Sequence, residues 1–248
     1  AVTGSAGKTT TKEMIAQVLS AQYETMKTQG NLNNRVGLPK TLLTLDETVQ
    51  AAVVEMGMNH FGEISDLTHC AKPDAAVITN IGEAHIEYLG SREGILKAKM
   101  EIIEGMKPGS PLILNGDDDL LCAMTCRQRK VTFGLSAGCD VRAVDVRDLG
   151  DEGSTCTIIA GTRRIPVRIS AYGQHMVYAA LEGAAVGIEY GLTDDEIIRR
   201  IAAYQPVGSR ARVVRPARYP VLADCYNANP DSTAAAPRPS TTFPHGAP

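Results

Sequence analysis

The sequence predicts an α/β fold: a mostly parallel sheet flanked by helices, with a small antiparallel β-subdomain and the start of a second α/β domain. Three observations predict it. A small-residue turn with two glycines runs straight into a helix-prone segment at the head of the chain. Short continuous apolar runs then recur, each ending in polar residues, as parallel strands do when both faces are covered and their C-terminal ends open on a ligand cleft. From about residue 130 to 170 the texture changes to short alternating runs separated by Gly, Asp and Ser, the pattern of antiparallel hairpins.

The first element is Thr3-Gly4-Ser5-Ala6-Gly7-Lys8-Thr9-Thr10, followed by a helix predicted through about Gln22 with Met14, Ile15, Val18 and Leu19 on one stripe. Glycines let the backbone fold so that its N–H groups face one concavity at a helix N-terminus, which makes an anion cradle. Lys8 then offers an ammonium to the outer phosphates of a nucleotide, and the Thr9 hydroxyl offers an oxygen ligand to Mg2+. The strict phosphate-loop pattern asks for glycine where this chain has Val2, so the regular expression fails although the physical parts of a P-loop-type sheet are present. A turn that merely caps a helix is the competing reading.

Gly30 to Pro39 is rich in amides and reads as a loop in which Asn31, Asn33, Asn34 and Arg35 are available to a polar ligand. The run Ala51-Ala52-Val53-Val54 reads as a central strand that delivers Glu55 to the ligand edge, where a carboxylate suits Mg2+ or a water. Ala75 to Ile81 repeats the pattern and delivers His85; a lone histidine is commonly structural, but its place after a buried strand parallels that of Glu55. A helix over Ser91 to about Met106 carries Lys97 and Lys99, which flank Ala98 and cannot share a face; the residues alone favour a solvated lysine with its stem along the helix. Pro111 to Leu114 makes a further strand ending in Asn115-Gly116-Asp117-Asp118-Asp119, with Asp119 read as helix capping or first-turn charge.

Beyond the hairpin region, helices are predicted near Gln174 to Tyr190 and after Thr193, where Thr193-Asp194-Asp195-Glu196 forms a capping box. After Gly208 a new unit opens with strands at Val213-Val214 and Pro220 to Asp224, and from Ala234 the chain turns to Ala, Pro, Ser and Thr, a composition not expected to fold. The chain has 248 residues and a net charge of -3, ample for a buried core and not basic enough to make nucleic acid the main partner. No run of about 18 apolar residues occurs, so membrane insertion is not expected. Six scattered cysteines without a Cys-x-x-Cys pair read as reduced thiols, consistent with a cytoplasmic protein.

Together, Thr3 to Glu13, Gly30-Asn31-Leu32-Asn33-Asn34, Val54-Glu55-Met56-Gly57-Met58-Asn59, Thr79-Asn80-Ile81-Gly82-Glu83-Ala84-His85, Lys97-Ala98-Lys99 and Asp224-Cys225-Tyr226-Asn227-Ala228-Asn229-Pro230 resemble the Mur ligases, within them the type that adds D-alanyl-D-alanine to UDP-N-acetylmuramoyl-tripeptide. The resemblance implies a UDP-binding N-terminal domain and the strand feeding the loop as missing parts, a central ATP-binding domain at 1–208 containing the β-subdomain at about 130–170, the start of a Rossmann-like C-terminal domain at 209–232, and an unfolded tail at 233–248. It implies ATP and two Mg2+ ions as cofactors, and an acyl-phosphate route to the amide. Lys8 and the loop from Thr3 to Thr10 would hold phosphates; Thr9, Glu55 and His85 would serve metals. Lys99 would be carbamylated, reversing the reading of a solvated lysine. Asn115, Asp117, Arg210, Asp224 and Asn229 would contact the nucleotide, and Asn31, Asn33, Asn34 and Arg35 the substrate. The family's His-x-x-x-Asn element has its asparagine replaced by Ala179 here, which removes one expected adenine contact. A monomer is implied. A folylpolyglutamate-type ligase, or a nucleotide-binding fragment without ligase activity, are the alternatives.

Overall fold

A computed structural model describes residues 1–208 and the strand segments 212–214 and 221–223. In the first half, β1 (Val2–Thr3), α1 (Lys8–Leu19), β2 (Thr25–Lys27), α2 (Gly37–Leu42), β3 (Ala51–Val53), α3 (Glu63–Ala71), β4 (Ala76–Ile78), α4 (Ile86–Leu89) and α5 (Arg92–Met100) alternate. β5 (Pro111–Asn115), α6 (Asp119–Ala123), β6 (Arg129–Gly134), β7 (Val141–Asp148), β8 (Ser154–Ala160), β9 (Arg163–Ile169), α7 (His175–Glu189) and α8 (Asp194–Ala202) follow. β10 (Arg212–Val214) and β11 (Val221–Ala223) pair antiparallel.

Seven strands form one sheet in the order β1-β4-β5-β6-β7-β8-β9, parallel as far as β7 and antiparallel from β7 to β9. The parallel pair β2-β3 continues it on the other side of β1, because Val2 bridges Glu55: Val2 N donates to Val54 O at 2.8 Å and Met56 N to Val2 O at 2.8 Å. The strand expected to be missing before the loop is therefore present as β1. Strand alternation assigns each side chain to one face. Val77 and Ile113 join α1 and α7 in one core, while Ala76, Ile78, Leu112 and Leu114 join α3 and α5 in the other.

The first run assigned to the hairpin region, around Val131-Thr132-Phe133, is the parallel strand β6. The antiparallel part begins only at β7, and it extends the main sheet edge to edge. β3 is less enclosed than a fully covered strand, since Ala52 is exposed and only Val53 to Met56 are buried. Within the segment read as a loop, α2 begins at Gly37; the Asn34 side chain accepts from Val36 N at 3.1 Å and Gly37 N at 2.9 Å and so starts the helix. The capping box at Thr193 is formed as expected, with both reciprocal hydrogen bonds. The tail from 233 and the residues Arg210, Asp224 and Asn229 lie outside the described residues.

Candidate active site

Successive strand ends deliver the site. β1 runs into the loop, and Gly4 takes φ 152° there because a Cβ at that position would lie 1.8 Å from the Thr79 hydroxyl. The loop is pinned to the end of β4: Ser5 N donates to Asn80 O at 3.0 Å, Ala6 N to Asn80 Oδ1 at 2.9 Å, and the Thr79 hydroxyl to Ala6 O at 2.5 Å. Gly7, at φ 83°, opens α1 from the left-handed region. Lys8 Nζ folds back over the turn and donates to Gly4 O at 2.8 Å. The Ser5 hydroxyl is buried with no hydrogen-bond partner, a polar atom in the cradle that a phosphate oxygen would satisfy. Thr10 is half-buried on the first turn of α1. Thr3 is placed differently from expectation, its fully buried hydroxyl donating to Met56 O at 2.8 Å beneath the loop.

Glu55 is 2% exposed and shared between two predicted partners. Thr9 Oγ1 donates to its Oε2 at 2.9 Å and Asn33 Nδ2 to its Oε1 at 2.8 Å. Behind it stands Lys12, 1% exposed, whose ammonium donates to Thr28 O at 2.6 Å and lies 3.1 Å from Glu13 and 3.9 Å from Glu55. The Thr28 hydroxyl oxygen in turn accepts from Glu55 N at 3.0 Å. The hydroxyl and carboxylate oxygens of Thr9 and Glu55 suit a hard divalent cation such as Mg2+. Among the described residues no group of three or more His, Cys, Asp or Glu side chains is placed to hold a metal ion, so there Thr9 and Glu55 offer oxygen ligands without a closed cage. That suits an ion that keeps waters and substrate phosphates.

His85 holds φ 67°, a strained backbone position for a non-glycine residue, at the start of α4. Burial, then the charges of Lys99 and Lys8, hold its pKa below the ordinary histidine value, which favours the neutral ring that can ligate a metal. Lys99 is 2% exposed, with burial first and Lys8 second pushing its amine well below the usual lysine range. No carboxylate pairs with it among the described residues. Lys97 is the solvated one of the two, its ammonium 5.6 Å from the centre of the Phe61 ring.

Other predicted contacts are drawn into the scaffold. Asn115 donates to Thr79 O at 3.0 Å and accepts from Asp117 N at 3.0 Å. Asp117 accepts from Leu135 N at 2.6 Å, Ser136 N at 3.0 Å and Tyr178 Oη at 2.9 Å. Burial raises its pKa but these hydrogen bonds outweigh it and hold the carboxyl low. Arg35 pairs with Asp66 at 2.6 Å, Asn34 caps α2, and Asn31 is exposed, so Asn33 is the member of that loop that reaches Glu55. Sequence reasoning did not single out Asn80, Thr79, Thr28 or Lys12 as working residues; the polar end of β4 was the signal for the first two. Beside the loop a cleft of about 410 Å³ is lined by Ala6, Asn80, Ile81, Gly82, Glu83 and Arg92.

Taken together, the sheet and its edge define an α/β core with a phosphate-loop-type turn at the head of α1. The Mur ligase middle domain matches residues 2–187, and the chain belongs to the Mur ligase family. The UDP-N-acetylmuramoyl-tripeptide--D-alanyl-D-alanine ligase of Bacillus subtilis is 43% identical over 239 residues, covering 95% of this chain and 51% of the relative. A crystal structure of MurF from Acinetobacter baumannii superposes with a TM-score of 0.92 at 33% identity, over 98% of this chain and 53% of that one. MurF from Thermotoga maritima in complex with ADP superposes with a TM-score of 0.89 at 31% identity, over 98% of this chain and 56% of that one. The chain thus spans about half the length of the relatives it matches.

Proposed function

We propose that this chain is the nucleotide-binding part of an ATP-dependent ligase that joins D-alanyl-D-alanine to UDP-N-acetylmuramoyl-tripeptide in the cytoplasm. The observation that carries the reading is convergence: the loop at Gly4 to Thr9, the buried Glu55, His85 and the buried amine of Lys99 come to one sheet edge. The name of a relative at 43% identity and an ADP-bound structural neighbour support this substrate class.

A carboxylate and an amine at neutral pH form a salt, so amide formation needs an activated acyl group. Attack of the tripeptide's terminal carboxylate on the γ-phosphorus of ATP gives an acyl phosphate and ADP; the amine of D-alanyl-D-alanine then displaces phosphate. The residues' part is positioning and charge neutralisation. Loop N–H groups, Ser5 and Lys8 would hold phosphate oxygens. Thr9 and Glu55 would hold one Mg2+ and His85 a second, with Asn33 and Lys12 fixing the Glu55 carboxylate. The bound metals would spread the charge of the transferring phosphoryl group.

Lys99 is buried, with its amine pushed by burial well below the usual lysine range, the direction that addition to CO2 requires. N–C bond formation with loss of one proton would give a carbamate anion facing Lys8 and the metal side. Labelled bicarbonate should give a carbamate carbon resonance in the wild type that is absent in Lys99→Ala; equal spectra would remove this assignment. The function itself is tested on the chain extended to its relatives' full length. ATP-dependent phosphate release should require both UDP-N-acetylmuramoyl-tripeptide and D-alanyl-D-alanine, and release driven only by another ligase's substrates would move the assignment within the family.

A further inference from the structure

Glu182 is buried in the middle of α7 at 2% exposure, and no step above uses it. It faces the first turns of α1. The Thr11 hydroxyl meets its carboxyl at 2.5 Å, Thr11 N donates to Gly7 O at 2.9 Å, and a Cβ built on Gly7 would lie 3.9 Å from the same Thr11 hydroxyl. One hydroxyl therefore connects the loop's last glycine to a buried carboxyl. The two helices are locked at this spacing, since a Cβ on Gly183 would come within 2.9 Å of Met14 and one on Gly187 within 2.9 Å of Val18.

The neighbouring charges are committed elsewhere. On α1, Lys8 bonds the loop carbonyls, Lys12 turns to Thr28 and Glu13, and Glu13 pairs with Lys27. On α8, Arg200 reaches Ser20 O and Glu196 closes the capping box. Cys156 of β8 is the buried ionisable group on the sheet side, its thiol pushed by burial to about 11. No ion pair reaches Glu182 among the described residues, so its ionised form would be a bare negative charge beneath an anion cradle.

We propose that Glu182 is a positioning residue for the phosphate loop that works as a neutral acid: uncharged, it packs beneath Thr11 and the first turns of α1, and its ionisation weakens nucleotide binding by setting a negative charge below the bound phosphates. This rests on the nucleotide-binding reading above. Burial pushes its carboxyl to about 8, with the Thr11 hydrogen bond opposing, so the neutral form prevails at pH 7 and is lost above pH 8. By linkage, phosphate bound in the cradle holds the proton on Glu182 more tightly.

The test is calorimetric titration of this chain with Mg-ADP between pH 6.5 and 9.5, for the wild type and Glu182→Gln, which keeps the shape and a hydrogen bond to Thr11 but cannot ionise. Wild-type affinity should fall about tenfold between pH 7 and 9.5 while Glu182→Gln stays level over that range. An equal alkaline loss in both proteins, or a level wild type, overturns the inference and leaves nucleotide binding standing. Binding by neither protein at any pH contradicts the nucleotide reading itself. Should Glu182→Gln not fold, a carboxyl carbon NMR titration of the wild type decides: a Glu182 midpoint above pH 7 supports the inference and one below pH 6 overturns it.

Discussion

At the residue scale, the candidate site is built around a buried cation. Lys12 stands between Glu13 and Glu55 with its ammonium on the Thr28 carbonyl. Replacing it by Met would leave buried carboxylates without that partner, a change that typically costs about 3–5 kcal/mol. Lys12→Met should therefore lower the urea midpoint substantially and weaken Mg-nucleotide binding together, and an unchanged midpoint would show the network to be incidental. The placement of Glu55 at the end of β3 and of His85 after β4 was legible because each follows an apolar strand. That Lys99, not Lys97, is the buried lysine was not legible in the residues alone, since an amphipathic helix with two lysines does not say which one faces inward. Glu182 was not legible: an acidic residue amid Ala and Gly on a helix looks solvated until α1 is seen to pack over it.

At the element scale, long apolar runs and strong caps were read well and short polar elements were not. The α8 cap shows the first case, as Thr193 accepts from Glu196 N at 3.3 Å while the Glu196 carboxylate accepts from Thr193 N at 2.8 Å. Thr193→Ala should cost about 1 kcal/mol, read as a lowered denaturation midpoint with nucleotide affinity unchanged. β2, Thr-Met-Lys, has no alternation to betray it and forms because β3 provides a parallel edge. α2 hides behind Pro39, which the first turn of a helix tolerates, and its Gly37 is required because a Cβ there would lie 2.5 Å from the Leu32 backbone. α3 was not anticipated; its N-terminal N–H groups are met by Glu101, which accepts from Gly62 N at 2.8 Å and Ser65 N at 3.2 Å, a partner distant in sequence. Tertiary contacts decide these elements, and local pattern does not encode them.

At the scale of the whole molecule, two apolar cores clamp one sheet, and the proposed nucleotide edge lies at the ends of β1, β3 and β4. The parallel half was legible from its apolar runs; that the antiparallel strands extend the same sheet was not, because hairpin texture is the same in a separate subdomain and in a continuation. The central claim is that this edge binds a magnesium nucleotide through the loop at residues 3–10. Isothermal titration of the chain with Mg-ATP, wild type against Lys8→Ala, tests it most directly, with circular dichroism confirming that both are folded. Saturable binding in the wild type, lost in Lys8→Ala, is the predicted result; no binding in the wild type, or equal affinity in both, would contradict the account.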